Sequence, residues 1–452
     1  MKNSSEKTGL IFFPAFDWSI SPTHPEREER LLYTRDQIFE EGLMDLPKIK
    51  EYTPRLATFK DIARTHICVP GVSDQVTEAH LIAAGAGLVI ADALMAGEIR
   101  NGFSLVRPPG HHAMKVVHGN RGFCNINNEA IMVDYMRKKY GLKRVAIVDT
   151  DVHHGDGTQD IYYHDPDVLF ISFHQDGRTL YPGSGFTNES GGPKAYGRTL
   201  NIPLPPGTTD EGLHYVLEKL ILPVLNDFAP DLIVNSAGQD NHYTDPLANM
   251  RITAQGYANL NKKLKPDIAV LEGGYAIETA LPYVNTGIIL AMAGMDYSNV
   301  VEPDYIQQKF NLSQNKKQQI EEVVSELSRI WEKRDANNIE VLMSKNTFFN
   351  RQKTIFYDTD GINEYQTEKL RLCRECGGYL SISSQAYYQN GMQQNILALS
   401  VPFDGCHECQ EEAYEEYEVA ISRKVLDFVY FQDRVSDTYK GFDNTKNKEW
   451  VE

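Results

Sequence analysis

The sequence predicts an α/β protein whose parallel sheet is covered by helices on both faces, followed by a small, β-rich C-terminal domain. Short apolar runs of four to seven residues alternate with helical patterns, as in parallel sheets that are buried on both faces. Several polar clusters directly follow these runs, which is where ligands bind in open α/β sheets. Four of the six cysteines form two CxxC pairs near the C-terminus, which indicates a separate zinc-stabilised unit.

The strands and helices of the larger domain can be assigned in order along the chain. Each predicted strand is a short apolar segment, and each predicted helix carries apolar residues at helical spacing. The predicted strands cover residues 10–17, 103–106, 145–148, 167–174, 231–237 and 268–271, and the predicted helices cover residues 77–95, 125–140, 210–228, 252–264 and 313–333. The polar segment 335–338 is typical of a linker, so we expect one domain at 1–335 and a second, with few helices, at 336–452.

Composition and charge favour some classes of function over others. At 452 residues the chain exceeds what one compact core usually holds. Its formal net charge of −17 argues against direct, sequence-independent binding of nucleic acid and suits a cationic substrate such as a lysine side chain or a polyamine. We find no secretory leader and no apolar run near the roughly 20 residues of a membrane span, so we expect a cytoplasmic protein without membrane contact.

The segment 145–157 combines a buried strand with a dense group of potential metal ligands. Side chains alternate across an extended backbone, so Asp149, Asp151 and His153 are expected to point to one side. Two carboxylates and an imidazole at a buried strand end lose solvation, and their charges repel unless a cation is present. They therefore predict half of a metal site, although a polar turn with a helix N-cap at Asp156 is the alternative.

Two further strand ends offer groups that a zinc hydrolase needs. A catalytic zinc usually has three protein ligands and an open position for water. Asp240 follows a buried strand and is the natural third ligand, although an Asp after Gly often only ends a strand. Tyr275 follows two glycines, and its hydroxyl could donate to a developing oxyanion or could simply close the end of the sheet.

A pair of histidines, His111 and His112, follows Pro-Pro-Gly at another strand end. Imidazole titrates near neutrality, so two such groups on a rigid turn can act as general base and acid. Asp149 and Asp156 could each accept a hydrogen bond from one of them and so orient the rings. An adjacent His pair can also be a surface feature without a role.

The C-terminal cysteines have the spacing of a zinc ribbon. Cys373 and Cys376 are separated from Cys406 and Cys409 by twenty-nine residues, and the segment between them contains strand-like sequences. Four thiolates would close the coordination shell, so this zinc would be structural. Reduced cysteines without a metal are the alternative, and His407 could replace one thiolate. The domain is not notably basic, so no DNA-binding role is assigned.

Six sequence segments resemble the histone deacetylase family, including its prokaryotic acetoin-utilisation and acetylpolyamine amidohydrolase members. They are LVRPPGHHA, GFCNINNEA, DTDVHHGDGTQDIYY, LFISFHQ, YPGSG and LEGGY, and they lie in order between about His24 and Tyr275. The resemblance implies an arginase/deacetylase-like fold and one catalytic zinc held by Asp151, His153 and Asp240. The implied activity is zinc-dependent hydrolysis of an acetylated lysine or acetylated polyamine.

The resemblance also implies roles for individual residues. His112, paired with Asp156, would carry the proton traffic, and His111, paired with Asp149, would give electrostatic help. Tyr275 would stabilise the transition state. Phe123 and Tyr181 would form aromatic walls of the acyl-lysine channel. Potassium would bind at Asp149, Asp151, His153, Ser172 and Phe173, and a second, weaker monovalent site would involve Tyr162, Asp165 and Val168.

Alternative functions remain open at this point. A binuclear manganese ureohydrolase of the same fold would need an Asp-x-Asp motif, but His242 stands where its second Asp belongs. A non-catalytic acyl-lysine-binding module would not need the full set of catalytic groups. No rim aspartate for peptide recognition can be aligned in residues 65–75, and a homo-oligomer is left open.

Overall fold

The structure, a computed structural model, describes residues 5–303, 305, 310–336 and 339–451. Within them the chain first forms a large parallel sheet. Its strands, together with two short ones, are β1 (Thr8–Phe13), β2 (Ile49–Glu51), β3 (Ile67–Cys68), β4 (Asn101–Val106), β5 (Val116–Val117), β6 (Val145–Asp149), β7 (Val168–Gln175), β8 (Thr199–Leu204), β9 (Leu232–Ala237) and β10 (Ile268–Leu271). Eight of them pair in the order β2–β1–β4–β10–β9–β6–β7–β8, while β3 and β5 pair separately.

Helices cover both faces of this sheet. The helices in the described part of the chain, of which α13 packs on a second sheet instead, are α1 (Leu32–Glu40), α2 (Phe59–Ala63), α3 (Val72–Gln75), α4 (Glu78–Met95), α5 (Asn128–Tyr140), α6 (Asp156–Tyr162), α7 (Asp210–Val216), α8 (Leu222–Phe228), α9 (Ala254–Leu264), α10 (Leu281–Met292), α11 (Gln314–Glu332), α12 (Ile339–Met343) and α13 (His407–Arg423). One core lies between the sheet and α1 with α7–α11, and a second lies between the sheet and α4 and α5. The strands are buried on both faces, which explains their continuous apolar sequence.

The strand order places the candidate functional segments side by side. Strands β4, β10, β9 and β6 are neighbours at the centre of the sheet, and all are parallel. The carboxyl ends of parallel strands meet at one edge, so the residues that follow these four strands converge there. The predicted fold class is confirmed.

Most predicted elements are found with small shifts at their ends. The first strand ends at Phe13 rather than at residue 17, because Pro14 cannot donate a ladder hydrogen bond. The helix predicted from residue 125 begins at Asn128, since the Asn127 side chain accepts from the N–H of Ala130 and caps it. The long helix predicted at 210–228 contains a π-helical segment between α7 and α8.

A second, mixed sheet follows α12. Its strands are β11 (Phe348–Tyr357), β12 (Ile362–Arg371), β13 (Leu380–Tyr387), β14 (Gln393–Val401), β15 (Phe428–Asp433), β16 (Thr438–Asp443) and β17 (Lys448–Val451). They pair in sequence order, and all pairs are antiparallel except β14 with β15, which α13 connects. The β-rich C-terminal unit is therefore confirmed. Asn337 and Asn338 of the predicted linker lie outside the described residues.

The sequence pattern does not predict helix α13, because residues 408–418 form an acidic run without an evident apolar face. Its buried residues, Cys409, Ala413, Tyr417 and Ala420, are three or four positions apart and form one apolar stripe between acidic residues. This stripe packs against Leu399, Phe431 and other residues of β14 and β15. Because the apolar stripe is narrow and most of the other residues are acidic, the helical pattern is difficult to recognise from the sequence.

The second sheet packs directly on the first unit. Apolar residues of β13, β14 and β15, including Ile382 and Tyr430, form one cluster with Ile67 and Val116 from β3 and β5. Met114 joins a smaller cluster with residues of the β11–β12 hairpin. The contact is therefore an extended, partly apolar interface.

One helix of the described part of the chain, α4, is long and apolar enough to cross a membrane by length and composition alone. Two thirds of it, 67%, is buried inside the protein. Core helices of soluble proteins pass the same test.

Candidate active site

Asp151, His153 and Asp240 form a compact cluster at the centre of the sheet edge. The first two lie in the loop after β6 and the third lies in the loop after β9. Their potential ligand atoms all lie within 4.8 Å of one another. The Nδ1 atom of His153 is 3.1 Å from Asp151 Oδ1 and 3.1 Å from Asp240 Oδ2. Strand β6 ends at Asp149, so a turn as well as strand alternation brings these groups together.

Electrostatics show that this cluster favours a positive charge. Burial raises the pKa of Asp240, and the charge of Asp151 raises it further. Burial acts to lower the pKa of His153, but hydrogen bonds to both carboxylates and their charges raise it to about 10. A divalent cation would satisfy the same demand more fully than a proton. One imidazole and two carboxylates form a donor set that fits zinc and leaves positions open.

The backbone fixes the orientation of the two carboxylates. The N–H of Gly273 donates to Asp151 Oδ2 over 2.7 Å, and the N–H of Val152 donates to Asp240 Oδ1 over 2.8 Å. Gly273 lies so close to both carboxylates that a Cβ atom there would collide with them. Glycine is therefore required at this position by close approach.

The two histidines lie beside the cluster, each paired with the predicted carboxylate. The Nδ1 atom of His111 is 3.0 Å from Asp149 Oδ2, and that of His112 is 2.8 Å from Asp156 Oδ1. Burial lowers the pKa of His112 well below its usual value, and the charge of His111 adds to this effect. Burial also opposes charge on His111, but Asp151 and Asp149 outweigh it and hold its pKa well above the usual value. Neighbouring groups whose pKa values are pushed apart suit acid–base chemistry.

Glu272, which no sequence pattern singled out, holds the turn that carries His111 and His112. Its carboxylate is buried and accepts hydrogen bonds from the N–H groups of Gly110 (2.7 Å) and His111 (3.0 Å). Its position directly before the two glycines of LEGGY is the sequence signal that could have identified it.

Tyr275 lies in the loop after β10 and is 8% exposed. Its N–H donates to Asp245 Oδ2 over 2.7 Å, a contact that sequence analysis missed within the segment after Asp240. The guanidinium of Arg30 is 5.0 Å from the phenol ring centroid and donates through Nε to the carbonyl of Gly274. The backbone and the ring of Tyr275 are thus both held in place.

The two predicted channel walls also lie at this site. The Phe123 ring is 5.6 Å from that of Tyr275, and the Tyr181 ring is 5.2 Å from that of His112. Phe123 has a φ of +71°, in the left-handed region that a bulky residue rarely adopts. Such strain is typical of a functional loop held by its surroundings.

The predicted potassium residues are only partly tested by the geometry. Asp149 and Ser172 are direct neighbours across β6 and β7, with Phe173 next in β7. The carboxylate of Asp165, in the second monovalent site, forms an ion pair with Arg137. A cation at that site would therefore depend on backbone oxygens, and potassium binding stays a prediction.

The four paired cysteines form a second cluster in the C-terminal sheet. Cys373 and Cys376 follow β12, while Cys406 caps α13 and Cys409 lies in its first turn. Their sulfur atoms lie within 4.8 Å of one another, and those of Cys373 and Cys406 are 3.8 Å apart. A tetrahedron with zinc–sulfur bonds of about 2.3 Å has edges of about 3.8 Å, so the cluster fits a structural zinc.

His242 does not lie with the metal cluster. Its Nε2 atom is 3.0 Å from Glu302 and its Nδ1 atom is 2.9 Å from Thr244. Both ring nitrogens are therefore engaged elsewhere. The structure gives no support at this position to the second metal of a ureohydrolase.

Comparison with known proteins agrees with this geometry. The Histone deacetylase domain profile matches residues 69–292. A probable deacetylase of Archaeoglobus fulgidus is 45% identical over 325 residues, which cover 66% of this chain and 89% of that protein. The acetoin utilization protein AcuC of Bacillus subtilis is 31% identical, with 66% and 85% covered.

Two further proteins extend the comparison. Histone deacetylase 14, chloroplastic, of Arabidopsis thaliana is 44% identical over 44% of this chain and 49% of that protein. The crystal structure of the HDA15 HD domain superposes with a TM-score of 0.63 at 26% identity, covering 76% of this chain and all of that one. The second sheet and its cysteine cluster lie outside the matched domain profile. This chain belongs to the histone deacetylase family of amidohydrolases.

Proposed function

We propose that this protein is a zinc-dependent deacetylase that hydrolyses the amide of an acetylated lysine or an acetylated polyamine. The observation that carries the proposal is the joint placement of three groups at one sheet edge. They are the cluster Asp151, His153 and Asp240, the two histidine–aspartate pairs, and the phenol of Tyr275, whose ring contacts that of Phe123.

The reaction adds water to the amide and yields acetate and an amine. Zinc held by Asp151, His153 and Asp240 would supply Lewis acidity, which polarises a carbonyl and acidifies water. His112 donates its Nδ1 proton to Asp156, so its Nε2 atom is left to accept the proton of the attacking water. The low pKa of His112 keeps it neutral, and thus basic, near neutral pH.

The remaining groups act on the developing charge and the leaving amine. The Tyr275 hydroxyl donates to the oxyanion, while burial keeps its pKa well above the usual value and so keeps the proton on the phenol. His112 then gives its new proton to the amine nitrogen as the carbon–nitrogen bond breaks. His111, held by Asp149, provides electrostatic support.

The charge of the protein and two aromatic side chains at the site support this substrate class. Phe123 and Tyr181 would flank an apolar alkyl chain. The net charge of −17 attracts a cationic substrate, and both peptidyl lysine tails and polyamines qualify. We further propose a catalytic domain at residues 1–335, a structural zinc at the four cysteines and potassium beside Asp149.

The test is acetate release by the purified full-length protein loaded with zinc. Acetyl-lysine peptide, acetylspermidine and acetylputrescine are compared, each with and without a chelator or a hydroxamate. We expect turnover of at least one substrate, loss of turnover with either inhibitor, and about two zinc ions per chain. Urea release from a guanidino substrate with manganese, and no acetate release, would instead favour a ureohydrolase.

A further inference from the structure

The turn between β11 and β12 contacts the loop that carries one wall of the proposed channel. This turn belongs to the C-terminal sheet, while the loop (residues 119–123) belongs to the first unit. Gly119 lies so close to the turn that a Cβ atom would collide with the Asp360 carboxylate. The hydrogen bonds run from the Asn120 N–H to Asp360 (2.7 Å), from the Gly122 N–H to Asp358 (2.9 Å) and from the Thr359 hydroxyl to the Asn120 amide oxygen (2.9 Å).

Asp358 connects the two channel walls. The same oxygen that accepts from Gly122, the neighbour of Phe123, also accepts from the Tyr181 hydroxyl over 3.1 Å. One carboxylate of the C-terminal sheet therefore holds both sides of the channel mouth. The buried contact beneath it, formed by Met114 and the β11–β12 hairpin, fixes the position of the turn.

The loop also contacts the catalytic histidine directly. Gly122 lies against the His112 ring, where any Cβ atom would collide with it, and has a φ of +51°. Its backbone conformation and its lack of a side chain are both required by this approach. A shift of the loop would therefore displace the ring.

Arg121 extends the contact into the histidine–aspartate pair. Its side chain is buried, and its Nε atom donates to the carbonyl of Phe356 at the end of β11 over 3.2 Å. Its NH1 group forms an ion pair with Asp156 Oδ2, while Asp156 Oδ1 bonds His112. Each carboxylate oxygen thus has its own partner, which fixes the carboxylate and, through it, the His112 ring.

We propose that the C-terminal domain completes the active site, with Arg121 and the β11–β12 turn acting as positioning elements for His112 and the channel walls. The inference rests on the proposed function, because it assigns these residues to that reaction. It gives the cysteine-bearing domain a role that the matched family profile, ending at residue 292, does not include. Loss of these contacts lowers the catalytic rate more than it weakens substrate binding.

The first test separates positioning from binding. Arg121→Met removes the charge and the hydrogen bond but keeps an apolar chain of similar length, and Arg121→Lys keeps the charge. We expect Arg121→Met to lower kcat about 10- to 100-fold with KM within about threefold, and Arg121→Lys to recover part of the loss. Wild-type kcat in Arg121→Met, or an equal loss in both variants, would overturn the proposal.

The second test does not depend on turnover. Asp358→Ala removes the acceptor of the Gly122 N–H, so hydrogen exchange in residues 119–123 should be faster than in the wild type. The milder Asp358→Asn keeps an amide oxygen but removes the charge, so it should accelerate exchange less. Glu415→Ala is the matched control, since this exposed acid lies on α13, away from the turn. Unchanged exchange in both Asp358 variants would overturn the inference. A wild-type protein without amidase activity would overturn the proposed function. Hydrogen exchange would then test only whether the β11–β12 turn holds residues 119–123 in place.

Discussion

The two sheets each carry a cluster of residues that could hold a metal ion, and they assemble it in different ways. The parallel sheet gathers Asp151, His153 and Asp240 from the ends of two strands that are neighbours in space but 89 residues apart from Asp151 to Asp240 in sequence. The mixed sheet uses two local pairs, Cys373 with Cys376 and Cys406 with Cys409, on a turn and a helix. The first arrangement depends on the whole fold, while the second depends on the metal.

This difference explains why one cluster suits chemistry and the other suits stability. Two carboxylates and one imidazole leave positions free for water and substrate, and acid–base groups surround them. Four thiolates fill a tetrahedron and leave no free position. Variants at the two clusters should therefore affect different properties of the protein.

Asp240→Asn should have the largest effect on turnover. It keeps the shape of the side chain but removes a charged ligand, so we expect the rate to fall by about 10³-fold or more, equivalent to several kcal/mol. The zinc content should fall by about one ion per chain. The melting temperature of the metal-free protein should be unchanged or higher, because Asp240 is buried beside the like charge of Asp151. Full activity with full zinc content would remove Asp240 from the site.

Tyr275→Phe and His112→Ala should each lower the rate by about 10²-fold, the usual scale for one oxyanion donor or one acid–base group. Neither residue is a proposed metal ligand, so the zinc content should not change. Tyr33→Phe is a suitable control, since Tyr33 is 43% exposed on the protein surface. Turnover within twofold of the wild type in either variant would exclude that residue from the mechanism.

Cys409→Ser should lower the stability of the protein and leave its turnover nearly unchanged, which is the reverse of the effects expected at the active site. It removes one of the four thiolates, so about one zinc ion should be lost and the C-terminal domain should unfold at a lower temperature. Below that temperature, turnover should stay close to that of the wild type, because the cysteines lie at the opposite end of the β11–β12 hairpin from the turn. Calorimetry and metal analysis check the first expectation, and acetate release at low temperature checks the second. An unchanged melting temperature with full zinc content would contradict the structural role.

Sequence patterns were sufficient to predict that the polar residues following the apolar strands lie close together. Asp151, His153, Asp240 and Tyr275 could be placed together because parallel strands bring their carboxyl ends to one edge. The paired cysteines could be recognised from spacing alone. Ser172 is indicated only by the resemblance to a family, and the structure shows that it is the strand neighbour of Asp149.

Contacts between the two sheets could not be predicted in the same way. Arg121 and Asp358 are 237 positions apart, and neither lies in a pattern with a known chemistry. Their proximity depends on how the second sheet packs on the first, which no local periodicity specifies. Helix α13 was missed for a related reason: its apolar stripe becomes evident only when β14 and β15 are present to bury it.

A smaller effect, on the pH dependence of stability, is expected at the contact between the two units, where Lys115 is buried. Burial, together with the charge of Arg434 from the second unit, lowers the pKa of Lys115 from its ordinary 10.5 to about 7. Between these two values the unfolded chain binds more protons than the folded one, so stability should rise with pH from about 7 to 10. The advantage is lost as pH falls towards 7, where the buried amine must take up a proton.

Lys115→Met should remove this dependence, because methionine keeps an apolar chain of similar length without the amine. We expect the variant to match or exceed the wild type in stability near pH 7 and to show a flatter profile above it. Lys440→Met is the control, since Lys440 lies on β16 and its side chain is only partly buried. The midpoint of urea unfolding, measured from pH 6.5 to 9.5, reports the slope. A wild-type slope in Lys115→Met would show that other groups control the pH response of the seam.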